Sequence, residues 1–504
     1  MVRLLRISAI AVSAILVLCT MQVDVSAKKK SSKRKSRAVK TLRPIGMARA
    51  GTPVIVTPPV LLSPGGNNTF FIRSESAPKT GQTTSTTSNN SPGAGPGIGA
   101  GDNDGKGKSV WTSRPKVRTA GTLVISEFRV RGPNGANDEF IEIYNDFGSD
   151  HTVADSGAGT GYAVAASDGT ARCIIPNGTV IPARGHYLCV NSVGYSLSSY
   201  PAGNGTTATG DATYTTDIPD NAGIAIFNTS VAGNFILANR FDAVGSVGEA
   251  NTLYKEGTGY PNLTPFSIDY SFYRDNCGKS GSISTLGVCP ISTPKDTDNN
   301  ATDFIFVDTN GTSAGAGQRL GAPGPENLSS PIQRNSVITE NLLDSSDSKN
   351  NPPNRVRDFT SDPGNNSTFG TLSLRRRFVN NTGGNITRLR FRIIDMTTFP
   401  APSGIADLRH RTSSLVVIAG INDSVTCAAT GAPATPPCTV SAQGTTVEAP
   451  PSQPNGGAFN SSWSAGTVTL ATPLANGASL NVQFLLGIQQ TGSFKVYVNI
   501  EALP

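Results

Sequence analysis

The clearest pattern along this chain is alternation. Leu389, Phe391 and Ile393 alternate with Arg388, Arg390 and Arg392, the period-two signature of a strand with one apolar and one cationic face. Residues 269–274 repeat the rhythm. Short β-type runs recur at 123–129, 137–145, 171–175, 186–190, 223–227 and 235–244. A second series falls at 372–379, 386–395, 414–418, 467–470, 480–486 and 494–500. Gly132-Pro-Asn-Gly135 and Asn380-Asn-Thr-Gly-Gly384 supply turn chemistry between neighbouring runs. No long segment places apolar residues at helical spacing. The pattern predicts an all-β chain of two antiparallel β-sandwich domains, over 119–328 and 332–504, each strand with one face on a core and one wet.

The first 118 residues read differently. Arg3 and Arg6, the apolar stretch 7–21 and the small residues Val25-Ser26-Ala27 make the three-part pattern of a signal peptide over 1–27. The apolar stretch is shorter than the roughly 20 residues that span a bilayer, so no transmembrane helix is expected after cleavage. A lipid anchor on Cys19 would want a small residue before it, where Leu18 stands. Residues 28–118 are expected to be a disordered tail, basic at first and then rich in Gly, Ser, Thr and Pro. Residues 53–56 and 70–72 are apolar islands within it, and no structure is assigned to them.

Charge changes the picture once it is localised. The formal balance is +7, but 12 of the 42 basic residues and only one of the 35 acids precede Ala50. The rest of the chain is slightly acidic, with 30 basic residues against 34 acidic. The overall basicity is therefore no argument for a nucleic-acid-binding fold.

Six cysteines remain after Cys19, in three neighbouring pairs: Cys173/Cys189, Cys277/Cys289 and Cys427/Cys438. Their spacing favours local disulfides, each closing a loop of roughly 10–17 residues and contributing about 3 kcal/mol. A zinc site would want C-x2-C spacings and nearby His, and the chain holds 3 His. Export to a secreted, periplasmic or cell-surface location follows as the expectation.

The order of several motifs carries a resemblance. Residues 123–129 and 137–145 form an opening hairpin. Asp168-Gly169, Ile181-Pro-Ala-Arg-Gly185, Asp296-Thr-Asp-Asn-Asn-Ala-Thr-Asp-Phe304 and Gly321-Ala-Pro-Gly-Pro-Glu-Asn327 follow in turn. Together they resemble the lamin-tail domain of bacterial exported proteins, over about two-fifths of the chain. The resemblance implies an immunoglobulin-like sandwich for the first domain, and it favours binding, since that domain is associated with protein and DNA contacts. The chain departs from the pattern in long loops around 195–217 and 277–289. The region 332–504 resembles an uncharacterised accessory domain of exported bacterial proteins, which implies no activity.

Candidate chemistry is sparse. Glu127, Glu139 and Glu142 lie on two neighbouring strands and are the pair-forming carboxylates a glycosidase would need; the alternative is that they bond to turn amides and arginines. Asp296, Asp298 and Asp303 are candidate calcium ligands by their hard oxygens. The run is not an EF-hand, because Ala301 and Val307 stand where Gly and Glu are required. His151, His186 and His410 adjoin no nucleophile elbow, and no dinucleotide or Walker loop is present. No catalytic residue and no cofactor is assigned, beyond the calcium candidates. Arg375, Arg376, Arg377, Arg388, Arg390 and Arg392 are the candidate anion contacts, meeting if their strands pair. The expected function is an exported, non-catalytic structural or interaction protein whose partner is a protein or an anionic envelope polymer; nucleic acid is possible but not indicated. The alternatives are a secreted glycan hydrolase and a calcium- or anionic-polymer-binding module.

Overall fold

The structure, a computed structural model, describes residues 69–72, 123–203, 205–262, 268–276, 294–309, 321–330, 338–396, 407–448, 460–467, 469–492 and 494–504. Residues 1–27, expected to be a signal peptide, Cys277, Cys289 and all of 28–118 except 69–72 lie outside these residues.

The described chain is almost entirely β. In order come β1 (Thr69–Ile72), β2 (Leu123–Arg129), β3 (Phe140–Asn145), β4 (His151–Thr152), β5 (Gly161–Ala166), β6 (Ala171–Pro176), β7 (Val180–Ile181), β8 (His186–Asn191), β9 (Ala212–Tyr214), β10 (Ile224–Phe227), β11 (Arg240–Val244), β12 (Tyr270–Arg274) and β13 (Phe304–Asp308). The second half holds β14 (Ile338–Leu342), β15 (Arg355–Asp358), β16 (Thr371–Asn380), β17 (Arg388–Met396), β18 (Asp407–Arg411), β19 (Val416–Ile421), β20 (Cys438–Ala442), β21 (Thr445–Val447), β22 (Ser462–Ala465), β23 (Ser479–Gln490) and β24 (Lys495–Leu503). Two short helices, α1 (Asn300–Asp303) and α2 (Ser424–Thr430), interrupt them.

In the first sandwich a six-stranded sheet, β13-β12-β2-β3-β8-β9, faces a four-stranded sheet, β11-β10-β5-β6. Alternation chooses the core. Ile125 and Phe128 of β2, Ile141 and Ile143 of β3 and Phe272 of β12 turn inward onto Val164, Ile175 and Ile226 of the opposite sheet. Cys173 on β6 and Cys189 on β8 are bonded, so this disulfide ties one sheet to the other. The first sandwich's loops are themselves packed: Tyr195, Leu197 and Tyr200 cover Phe140, Leu188 and Val190 on the outer face of the large sheet.

In the second sandwich β14-β16-β23-β18, with β15 also on β16, faces β1-β24-β17-β22-β21. Phe378, Phe391, Phe484 and Trp463 meet at its centre. The hairpin β19–β20 and α2 form a satellite core, pinned by the bond between Cys427 and Cys438. The third expected pair, Cys277 and Cys289, lies outside the described residues.

Three local expectations are corrected. Residues 69–72 of the tail form a strand parallel to β24, Thr69 opposite Lys495 and Ile72 opposite Val498; Thr-Phe-Phe-Ile is strand-favouring sequence and it covers an edge that would otherwise be open. The single strand expected over 235–244 is broken by a turn of 3-10 helix at Leu237–Asn239, and only Arg240–Val244 joins the sheet. At 467–470 no strand forms among the described residues, and the Leu470 N–H donates to Thr387 O instead.

Candidate functional site

A dense polar cluster lies where the outer face of the first sandwich's large sheet meets the outer face of β17. Its geometry starts from a bulge. The register of β2 against β3 shifts between Ile125 and Glu127, which sets Glu127 opposite Glu142 on the side away from the core. The Ser271 hydroxyl, one strand over on β12, donates to Glu127 Oε1 at 2.6 Å, and Gly324 N–H donates to the same oxygen at 2.9 Å. Ser126 Oγ donates to Glu142 Oε1, and Glu326 N–H to Glu142 Oε2 at 2.6 Å. His186 Nε2 stands 3.1 Å from Glu326 Oε2 and 3.7 Å from Glu142 Oε1.

From the other sandwich Arg392 enters this cluster. Its Nη1 is 2.8 Å from Glu326 Oε2 and its Nη2 is 3.9 Å from Glu127 Oε2. Nη2 also donates to Gly324 O, Nε donates to Asn460 Oδ1, and the guanidinium lies over the Tyr273 ring. Its neighbours behave alike: Arg388 pairs with Glu448 at 2.6 Å, and Arg390 pairs with Glu448 and Glu501. Gly324 leaves room for the approach, since a Cβ there would stand 2.6 Å from Arg392 Nη2 and displace it.

The charged groups are all buried, Glu127 at 0 % exposure, Glu142 and Arg392 at 2 %. Burial raises the Glu127 carboxyl, against which Arg392 pulls down. Burial also pushes Glu142 well up, and the charges of Glu127 and Glu326 push it further. For Arg392 burial acts downward, but Glu326, Tyr273, Glu501 and Glu127 outweigh it and the guanidinium holds its proton more firmly than usual. Glu448 is lowered because Arg390 and Arg388 overcome its burial.

This arrangement decides several of the sequence candidates. Glu127 and Glu142 do come together, but under Gly324, Glu326 and Arg392. Glu139 takes other partners: Asn191 Nδ2 donates to Oε2 at 2.8 Å and Ile218 N–H to Oε1 at 2.6 Å, and burial pushes the carboxyl up to about 8. The expected wet cationic face is overturned at Arg388, Arg390 and Arg392. Alternation turned them away from their own core, but Arg388 and Arg390 meet Glu448 and Glu501 of their own sandwich and Arg392 meets Glu326 of the first, so each is spent on a buried carboxylate. Arg375, Arg376 and Arg377 do not meet them, because β16 and β17 belong to opposite sheets. Nor is the run one face. Arg376 shares the inward parity of Leu374 and Phe378 and is buried with Glu340 at 2.8 Å. Arg377 is buried with its Nε donating to Thr426 on α2, and half-buried Arg375 donates to Gln483. A small cleft at the seam between the sandwiches reaches Arg390 and Glu448 beside Tyr200 and Pro201.

The calcium candidates separate. Asp303 closes its own turn: Oδ2 accepts from Thr297 and Asn299 N–H, and Oδ1 from the Thr297 and Thr302 hydroxyls. Asp296 and Asp298 instead gather with Glu256, whose ligand oxygens and theirs all lie within 4.8 Å of one another. Burial, then Asp242 and Asp296, push Glu256 up to about 9.

Glu256, Glu326, Glu448 and Glu501 carried no period or motif chemistry that marks them in the sequence; Glu326 sits inside Gly321–Asn327 as an ordinary loop residue. Among the described residues no helix is long and apolar enough to cross a membrane. No protein-family model, curated protein or solved structure matches the chain.

Proposed function

We propose that the chain is an exported, non-catalytic structural or interaction protein in which two β-sandwiches act as one scaffold. The observation that carries the reading is the seam just described. Arg392 is spent across the seam on Glu326, Glu127 and the Gly324 carbonyl, and Glu142 is spent beneath it on Ser126 and the Glu326 N–H. A buried ionic cluster suits fixing an orientation; a glycosidase needs its carboxylates at an open groove. Two cysteine pairs at bonding distance fit an oxidising compartment, and the signal pattern at the N-terminus fits the same route. The ordered motifs from the opening hairpin to Gly321–Asn327 favour a lamin-tail type for the first sandwich, and with it attachment to a protein or to an anionic envelope polymer.

The test has two arms. The chain expressed with its own leader is recovered outside the cytoplasm, and N-terminal sequencing is expected to begin at Lys28. The purified protein is then incubated with isolated envelope material and with a glycan panel. Retention on the envelope without release of reducing ends is the expected result. Release of reducing ends that disappears in Glu127→Gln would replace this reading with the hydrolase.

A further inference from the structure

We propose that Glu256, Asp296 and Asp298 form a calcium site at the edge of the first sandwich. It does not rest on the scaffold reading and stands or falls separately from it.

Two segments far apart in sequence build the site. Asn300, wholly buried, clamps them: its Oδ1 accepts from Glu256 N–H at 2.9 Å and Gly245 N–H at 3.0 Å, its own N–H donates to Glu256 O, and its Nδ2 donates to Ala243 O. Gly257, at φ +56°, lets the chain pass so close that a Cβ would stand 2.8 Å from Asn299. The three carboxylates are thus brought together by backbone that is fixed without any ion.

The carboxylates are more than a set of neighbouring acids. Glu256 is 6 % exposed, and while its Oε1 meets Arg240 at 3.1 Å, its Oε2 is buried and accepts no hydrogen bond. Asp242, whose charge also bears on Glu256, is wholly buried and has Oδ1 in the same condition. A buried carboxylate oxygen with nothing to accept from is costly unless a proton or a cation meets it. The local charges leave room for one. Glu256, Asp242, Asp296, Asp298 and Asp303 face Arg240, Arg274 and Lys295. Arg274 is engaged with Asp242 at 2.6 Å and Asp296 at 3.6 Å, and the Lys295 ammonium donates to Thr302 O.

The ligand set selects the ion. All donors are oxygen, which suits a hard cation. No two of the ligand oxygens are more than 4.8 Å apart, about twice the roughly 2.3–2.6 Å calcium–oxygen distance. Magnesium, with bonds of about 2.0–2.1 Å and strict octahedral demands, fits such a spread less well. Asp298 is exposed, so the site opens to solvent on one side and water completes the shell.

The experiment is calorimetric titration of the full mature chain, freed of metal by chelation, with calcium chloride. A dissociation constant on the order of 10⁻⁴–10⁻³ M is expected, as in extracellular modules. Asp298→Asn should weaken it at least tenfold while leaving the fold intact, because Asp298 is exposed and Asn tolerates its φ of +54°. Glu256→Gln, with an unchanged far-ultraviolet spectrum, should do the same. No calcium binding by the wild type, wild-type affinity retained in either variant, or magnesium binding as tightly as calcium would each overturn the site.

Discussion

Arg392 on β17 and Glu326 in the segment that follows the first sandwich meet with Nη1 and Oε2 2.8 Å apart, both side chains 3 % exposed. Strand alternation gave Arg392 its outward direction, and the neighbouring sandwich made that direction buried. Glu127 adds a second, longer-range partner at 3.9 Å. Removing the arginine therefore leaves two buried carboxylates with less compensation.

Arg392→Met should weaken the earliest urea transition by about 3–5 kcal/mol, the usual penalty for breaking a buried ion pair from one side. Arg392 is what pulls the Glu127 carboxyl down against its burial. Without it Glu127 takes up a proton more readily in the folded chain, so the penalty should be smaller near pH 5 than near pH 8. In a double-mutant cycle with Glu326→Gln the two losses should be strongly non-additive. Additive losses would mean that the pair is not coupled.

Glu139 makes a separate pH prediction. In the folded chain burial holds its proton up to about pH 8, whereas its ordinary value is 4.5. Between those values the folded form binds the extra proton, so stability falls as pH rises. The favourable contribution is fully present below about pH 4.5 and lost as pH passes about 8. The limiting slope is about 1.4 kcal/mol per pH unit. Glu139→Gln should flatten the curve of urea midpoint against pH over this window, and an unchanged slope would contradict the assignment.

The disulfides differ in what they hold. Cys173–Cys189 joins the two sheets of the first sandwich across 16 positions, and Cys427–Cys438 ties α2 to β20 across 11. Loop-entropy reasoning gives about 2–4 kcal/mol for each. Replacing Cys427 and Cys438 together by Ser should loosen the satellite core around Leu343, Ile421 and Val440 while protecting amides of β2 and β3 from change in hydrogen exchange. Replacing Cys173 and Cys189 should lower protection in the first sandwich. Peptide mapping without reduction should recover both pairs.

Much of the β architecture was legible because it depends on period two and on turn residues. Leu389, Phe391 and Ile393 face a core as their alternation requires, and the opening hairpin pairs in the expected way. What alternation cannot specify is what lies beyond the outer face. Arg388, Arg390 and Arg392 look like a solvated stripe until Glu448, Glu501 and Glu326, which no period marks, are laid against them. The bulge at Ser126, which lines up Glu127 with Glu142, has no residue signature of its own. Glu256 was invisible for a related reason: it reaches Asp296 only through the Asn300 clamp, across a sequence gap that no motif spans. The strand expected over 235–244 failed at its start because Leu237 and its neighbours meet a 3-10 turn, where Leu237 is 66 % exposed and contributes no core contact that would repay extension.

Gly257→Ala probes the clamp without touching a charge. The residue sits at φ +56° with Asn299 atoms 2.8 Å from where a Cβ would go. A left-handed conformation costs a non-glycine residue about 1–2 kcal/mol, and the contact adds to it. The expected result is a melting temperature several degrees lower, with calcium affinity also reduced because Glu256 is displaced. An unchanged melting temperature would show that the segment relaxes freely.

Scanning calorimetry of the chain tests the central claim, that the buried ionic seam makes one body of the two sandwiches. The account predicts a single cooperative transition in the wild type, with calorimetric and van 't Hoff enthalpies in agreement, and two resolved transitions in Arg392→Met. Two independent transitions in the wild type, unaltered by Arg392→Met, would contradict it.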